Sequence, residues 1–275
     1  AGHHLSLIRK NYMNFFSSKT AAERYAKGRP NVQAAAIMTF KEFAKITKPF
    51  KKCLDVGCGT GLSSVAVVEI CDSVIGVDIS EGMLAHAAKH PKIQYQKSDA
   101  VNLPFADNSF DLITVGLAMH WFDQPAFLKE ARRVLEPGGW LVIYNNEFKN
   151  KMKEVPAFTD WFENTYLQLY PNPPRKNELA FDEKLASDKF EFLGKGEFTN
   201  DLEMTQEQFV AYLESQSNII AKVEQGSERI EDVEKWLMQS TQEFFNNIEL
   251  GTFLFKGGIW YLRKVNKKQR TLARY

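Results

Sequence analysis

Between residues 50 and 146, short apolar runs alternate with segments of helical spacing. The apolar runs lie at about 53–56, 74–78, 93–96, 110–115 and 140–146, each short enough for a strand. Segments 82–90 and 125–134 between them carry a helical pattern. This alternation predicts a parallel, doubly wound α/β sheet. Ahead of it, residues 5–48 read as helical, with a stretch at 21–27 broken by Gly28-Arg29-Pro30. The next helix, from Val32 to Ile46, places Ile37, Phe40, Phe43 and Ala44 on one face. After Asn145-Asn146-Glu147 the pattern changes. Residues 156–170 form an aromatic helix stopped by Pro171-Asn172-Pro173-Pro174. A strand follows at 190–199, then a helix with Thr205 as N-cap and Gln208 completing a capping box. A longer helix at 228–246 and a closing strand at 251–265 end the pattern. The expected organisation is a helical cap at 1–50, a ligand-binding core at 51–150, and a C-terminal half at 151–275. That last part completes the sheet and inserts helical lids.

The first apolar run ends in Leu54-Asp55-Val56-Gly57-Cys58-Gly59-Thr60-Gly61, and the second in Asp78, 17 residues beyond Gly61. Glycines let a backbone approach a ligand closely, and an acid at the end of the next strand accepts hydrogen bonds from ribose hydroxyls. The pattern therefore points to an adenosine-type ligand across two strand ends. The dinucleotide fingerprint needs a third small residue at position 62, where Leu62 stands. A cofactor without a pyrophosphate fits better. A third strand leads to Asp99-Ala100, and Leu135-Glu136-Pro137-Gly138-Gly139 marks a helix end and a turn before the fifth strand.

Asp55-Val56-Gly57-Cys58-Gly59-Thr60-Gly61, Asp78, Asp99-Ala100, Leu103-Pro104-Phe105, Phe110-Asp111 and Leu135-Glu136-Pro137-Gly138-Gly139 stand in order over about 50–145. In this the chain resembles the class I S-adenosylmethionine (SAM) methyltransferases. Tyr25 to Arg29-Pro30 and Ala118-Met119-His120-Trp121-Phe122-Asp123 look like the small-molecule branch that includes trans-aconitate methyltransferases. The resemblance implies a Rossmann-like, seven-stranded sheet, mostly parallel with an antiparallel last strand, and helical insertions over the substrate. It implies that Asp55, Gly57, Gly59, Gly61, Asp78, Ile79, Asp99, Ala100 and Leu117 bind SAM or its product S-adenosylhomocysteine. Asp78 would take the ribose hydroxyls and Asp99 the adenine amino group. Tyr25, Arg29, His120, Trp121, Ser215 and Ser217 are the substrate-facing candidates. His120 is the candidate general base, since imidazole titrates near neutrality. It also reads as a pocket wall, and Ser215 and Ser217 as a helix end. Asp111, at the start of a strand, reads as structural.

SAM arrives already activated, so the protein mainly orients, desolvates and, where needed, removes a proton. The first substrate expectation is a carboxylate oxygen, held by the Arg29 guanidinium. The alternatives are carbon or nitrogen methylation of a quinone-, sterol- or alkaloid-like molecule, a macromolecular substrate, and SAM binding without catalysis.

Composition narrows this list. A net charge of +1 gives no electrostatic footprint for nucleic acid. No apolar run approaches the roughly 20 residues that span a bilayer, and no signal-peptide pattern precedes the first domain. The three cysteines, Cys53, Cys58 and Cys71, form no disulfide framework and no zinc spacing. A cytoplasmic enzyme without a metal is expected.

Overall fold

The computed structural model describes residues 19–173 and 181–265. The 5–18 part of the helical reading over 5–48 lies outside them. Eight strands are present among the described residues: β1 (Phe50–Val56), β2 (Cys71–Asp78), β3 (Ile93–Lys97), β4 (Phe110–Gly116), β5 (Leu135–Tyr144), β6 (Glu147–Met152), β7 (Glu191–Met204) and β8 (Gly251–Arg263). The chain divides into two compact units. One takes the described residues of Ala1–Val32, Glu147–Asn177 and Thr199–Lys256; the other takes those of Gln33–Asn146, Glu178–Phe198 and Gly257–Tyr275.

The second unit is the predicted doubly wound sheet. Its order is β3-β2-β1-β4-β5-β8, and β7 also pairs with β8. β1 to β5 run parallel, and β8 returns antiparallel to β5. Strand order reverses between β1 and β4, and the carboxyl ends at such a switch point open a crevice for a ligand. One face buries Phe127, Leu128, Ala131 and Val134 of the helix Gln124–Val134, which repeat at helical spacing. Asp123 caps this helix by accepting a hydrogen bond from Ala126 N at 3.1 Å. The other face buries Ala36, Ile37 and Phe40 of the helix Gln33–Phe43. Phe43, expected on that buried face, is 43% exposed, and its ring stacks on Tyr261 at 3.8 Å.

Three elements depart from expectation, the first two for identifiable physical reasons. The helix expected at 82–90 stops at Ala85. Beyond it, Ala88 N donates to Thr60 O and Ala88 O accepts from the Tyr95 hydroxyl, so tertiary bonds take the backbone groups a helix would use. The sheet has eight strands rather than seven because β6 is added. Its Glu-Phe-Lys-Asn-Lys-Met sequence is too charged for an apolar-run reading, yet it pairs antiparallel with the first half of β8. The long helix at 228–246 is Ile230–Thr241 followed by a 3-10 turn, Gln242–Phe245. The capping box at Thr205 and Gln208 is present in both directions.

In the first unit the aromatic residues form the core. Phe158 and Phe209 are fully buried, and Phe209 stacks on Phe253 at 4.2 Å. Here the helix Lys19–Gly28 meets the helix Gln206–Glu214 at Gly28. A Cβ on Gly28 would stand 2.0 Å from Ala211 O and 3.1 Å from Ser215 Cβ. Gly28→Ala is therefore expected to force the two helices apart and to destabilise the protein by about 1–3 kcal/mol, the usual cost of overpacking. Urea denaturation measures this, and parent-like stability would show that the helices have room to separate.

Candidate functional site

The loop after β1 is shaped by its glycines. Gly57, Gly59 and Gly61 all have positive φ, at 74°, 53° and 81°, a region that side chains with a Cβ rarely adopt. Space imposes a second requirement. A Cβ on Gly57 would lie 2.6 Å from the Ala118 Cβ, and one on Gly61 2.2 Å from the Tyr95 hydroxyl oxygen. The loop is pinned to β2 by Gly57 N and Cys58 N, which both donate to Val77 O, at 2.8 and 3.0 Å.

The three acids occupy different surroundings. Asp55 is fully buried. Its Oδ2 accepts from Ser63 Oγ and Ser64 Oγ, both at 2.6 Å, and its Oδ1 accepts from Thr114 Oγ1 at 3.0 Å. Asp55 thus binds β1, β4 and the start of the helix Leu62–Val67 together beneath the loop. Burial pushes its carboxyl up from the usual carboxylate range, against the three hydroxyls. Asp78 lies at the end of β2, half-buried. Its Oδ2 accepts from Gly59 N and its Oδ1 from Ser80 N, each at 2.8 Å. Burial raises its carboxyl as well. A carboxylate has about four acceptor sites, more than these backbone N–H groups use, so Asp78 can steady the glycine loop and still accept from a ligand. Asp99 is exposed, its Oδ1 accepting from Val101 N at 3.1 Å, and Ala100 beside it is buried. Asp111 accepts from Lys51 N and Lys52 N, the structural part read for it.

Past β4 the chain turns through Leu117, whose φ is +56° although it is not glycine. Leu117 N donates to Tyr144 O at 3.0 Å. Strain of this kind clusters at ligand sites. The 3-10 turn Met119–Trp121 then presents His120 and Trp121, ring centroids 4.7 Å apart and both exposed. Trp121 and Ile79 are two large apolar side chains left in the open, at 39% and 38% exposure, just past β4 and β2.

Tyr25, Arg29 and Ser215 come together in the first unit. The Arg29 guanidinium lies 4.5 Å from the Tyr25 ring centroid and 5.7 Å from that of Tyr212, and its Nη2 donates to Ser215 O at 3.1 Å. This is a helix C-terminus closed by a cation. Ser215 is fully buried and donates to Tyr212 O at 2.6 Å. Ser217 is the first residue of the helix Ser217–Glu224.

Several supporting residues escaped the sequence reading. Ser63, Ser64 and Thr114 hold Asp55, and Tyr95 fills the space above Gly61 and Gly76. Arg133 donates to Leu103 O and Phe105 O and pairs with Glu130, which in turn accepts from Leu103 N. That network fastens the segment after Asp99. The only sequence signal was polar residues within apolar runs, which does not say what they hold.

Residues 54–143 match the methyltransferase domain family. Demethylmenaquinone methyltransferase of Corynebacterium kroppenstedtii is 35% identical over 125 residues, covering 45% of this chain and 52% of that protein. The chain thus spans about half the length of this curated relative. A solved structure from Anaeromyxobacter dehalogenans, described as a candidate type II methyltransferase, superposes with a TM-score of 0.63 at 21% identity. The match covers 83% of this chain and 96% of that one. Phosphoethanolamine N-methyltransferase 2 of Haemonchus contortus, solved with S-adenosyl-L-methionine, gives 0.51 at 21% identity over 90% of this chain and 58% of that one. Over residues 54–143 the chain is thus similar to the methyltransferase domain family, and its sheet has the Rossmann-like α/β fold of the Anaeromyxobacter dehalogenans structure.

Proposed function

We propose that this protein binds SAM and transfers its methyl group to a small-molecule acceptor. The observation that carries the reading is the glycine loop held in left-handed conformation against Asp78, at the switch point of the sheet. The residues present fit the cofactor. Gly57, Gly59 and Gly61 leave a side-chain-free track, Asp78 offers lone pairs for two ribose hydroxyls, and Ile79 and Trp121 offer apolar cover for the adenosine and methionine parts. Asp99 and Ala100, at the turn after β3, would meet the adenine edge. Bound SAM would supply an activated methyl group. This chain's own residues would hold it, exclude water and position the acceptor behind the methyl carbon.

For the acceptor, we favour a quinol-type molecule over the carboxylate first expected. Arg29 was the main support for a carboxylate, and it is engaged by Ser215 O, Tyr25 and Tyr212. The relative from Corynebacterium kroppenstedtii carries a demethylmenaquinone methyltransferase name. Methylation at a quinol ring carbon requires removal of a proton, and exposed His120 is our candidate for that base. The three buried free thiols suit a cytoplasmic, reducing setting. Among the described residues no helix is long and apolar enough to cross a membrane.

Calorimetric titration with SAM, S-adenosylhomocysteine and NAD tests the cofactor, and labelled SAM with a reduced naphthoquinone tests the transfer. Binding of both sulfur compounds, no binding of NAD and label in the quinol are expected. Tight NAD binding without SAM binding would overturn the reading.

A further inference from the structure

The end of β5 carries two buried polar groups that the protein leaves unanswered. The Tyr144 hydroxyl, and both the Nδ2 and Oδ1 of Asn146, are buried and have no hydrogen-bond partner among the described residues. Burying an amide without partners is unfavourable, and a native chain rarely leaves both of its ends unpaired. Looseness of the backbone does not explain it. Asn145 N donates to Gly258 O at 3.0 Å and Asn145 Oδ1 accepts from Gly258 N at 2.7 Å, so the preceding residue is locked to β8.

The place matters as much as the orphaned atoms. Tyr144 O accepts from Leu117 N, which sets the end of β5 beside the strained turn that leads to His120 and Trp121. That turn in turn lies against the glycine loop, since Ala118 fills the space above Gly57. Asn146 is the second residue past the end of β5, just before β6 begins at Glu147. An Asn side chain carries one acceptor and one donor group and no charge. A hydroxyl or carbonyl oxygen can use either of them. A carboxylate can use only the donor and would face the Oδ1 lone pairs.

We infer that Asn146 is an acceptor-binding residue of the proposed transferase and takes a neutral hydroxyl or carbonyl oxygen of the methyl acceptor through its carboxamide. The inference rests on the methyl-transfer reading above. It predicts an opposition that a packing role would not produce: removing the amide harms acceptor use but not folding.

The test compares parent, Asn146→Leu (similar volume, no polar atoms) and Asn146→Asp (same shape, no amide donor). Unliganded melting temperature, S-adenosylhomocysteine affinity and turnover of a reduced short-chain demethylmenaquinone are measured in each. The Leu variant should melt at or above the parent and bind S-adenosylhomocysteine equally. Its kcat/KM should fall by about 10- to 100-fold, mostly through KM, as two neutral hydrogen bonds would require. The Asp variant should lose kcat/KM as well, and it carries the test if the Leu variant does not fold. An unchanged KM in either folded variant overturns the inference. So does a parent that binds S-adenosylhomocysteine and methylates trans-aconitate but not the quinol. A parent that binds no S-adenosylhomocysteine shows instead that the methyl-transfer reading has failed.

Discussion

Asp55→Ala is expected to lower stability by about 3 kcal/mol. It strands three buried hydroxyls, each of which costs about 1–3 kcal/mol when left without an acceptor, partly offset because a buried carboxylate is itself unfavourable. For a chain of this size that corresponds to a melting temperature lower by roughly 5–10 °C. The loss reflects position: Ser63, Ser64 and Thr114 come from two other elements and share this one carboxylate. The pH dependence gives an independent check. Burial raises the folded-state pKa of Asp55 above its unfolded value. The unfolded chain therefore releases this proton first as pH rises. The contribution to stability is full below the unfolded carboxylate pKa and is lost as pH climbs through the raised folded one. Asp55→Asn cannot ionise and should lack that loss, so the parent should gain on it as pH falls. Thermal melts of the three proteins across the acidic range measure both effects. An Asp55→Ala protein that melts with the parent would show that the hydroxyls find other partners.

Asp78→Ala is expected to weaken binding of SAM and S-adenosylhomocysteine by about 1.5–3 kcal/mol, on the order of 10- to 100-fold in Kd, as for lost hydrogen bonds to a charged group. Two consequences combine. On the proposed binding mode the ribose hydroxyls would lose their acceptor, and Gly59 N and Ser80 N lose theirs, which frees the glycine loop. Asp99→Ala should cost less, because Asp99 is exposed and its bond to Val101 N is local. Calorimetry on both variants, with circular dichroism to confirm folding, gives the comparison. A folded Asp78→Ala protein with parent-like Kd would remove Asp78 from the ribose.

The order of strands and helices was legible from the chain itself because each core strand is an apolar run with a turn signal behind it. Gly57, Gly59 and Gly61 were legible for the same reason, since φ > 0 at three positions leaves glycine little competition. Their second requirement was not. That Tyr95 blocks a Cβ at Gly61 depends on β3 lying beside β2, a contact 34 residues away in sequence. β6 was hidden because its pattern of lysines and a single phenylalanine lacks an apolar run; pairing with β8 makes it a strand.

Among the acids, the sequence alone determined that Asp55 and Asp78 end neighbouring strands. Only the tertiary structure separated them. Three hydroxyls enclose Asp55 beneath the loop, while Asp78 keeps lone pairs at the strand ends. Arg29 shows the same division. Its residue type offered a fork for a carboxylate, but the fold placed the guanidinium on the C-terminus of a helix 186 residues further along. Residue type and spacing set what a side chain is able to bind. Which partner it meets is decided by distant segments that the chain brings beside it, and no local pattern records them.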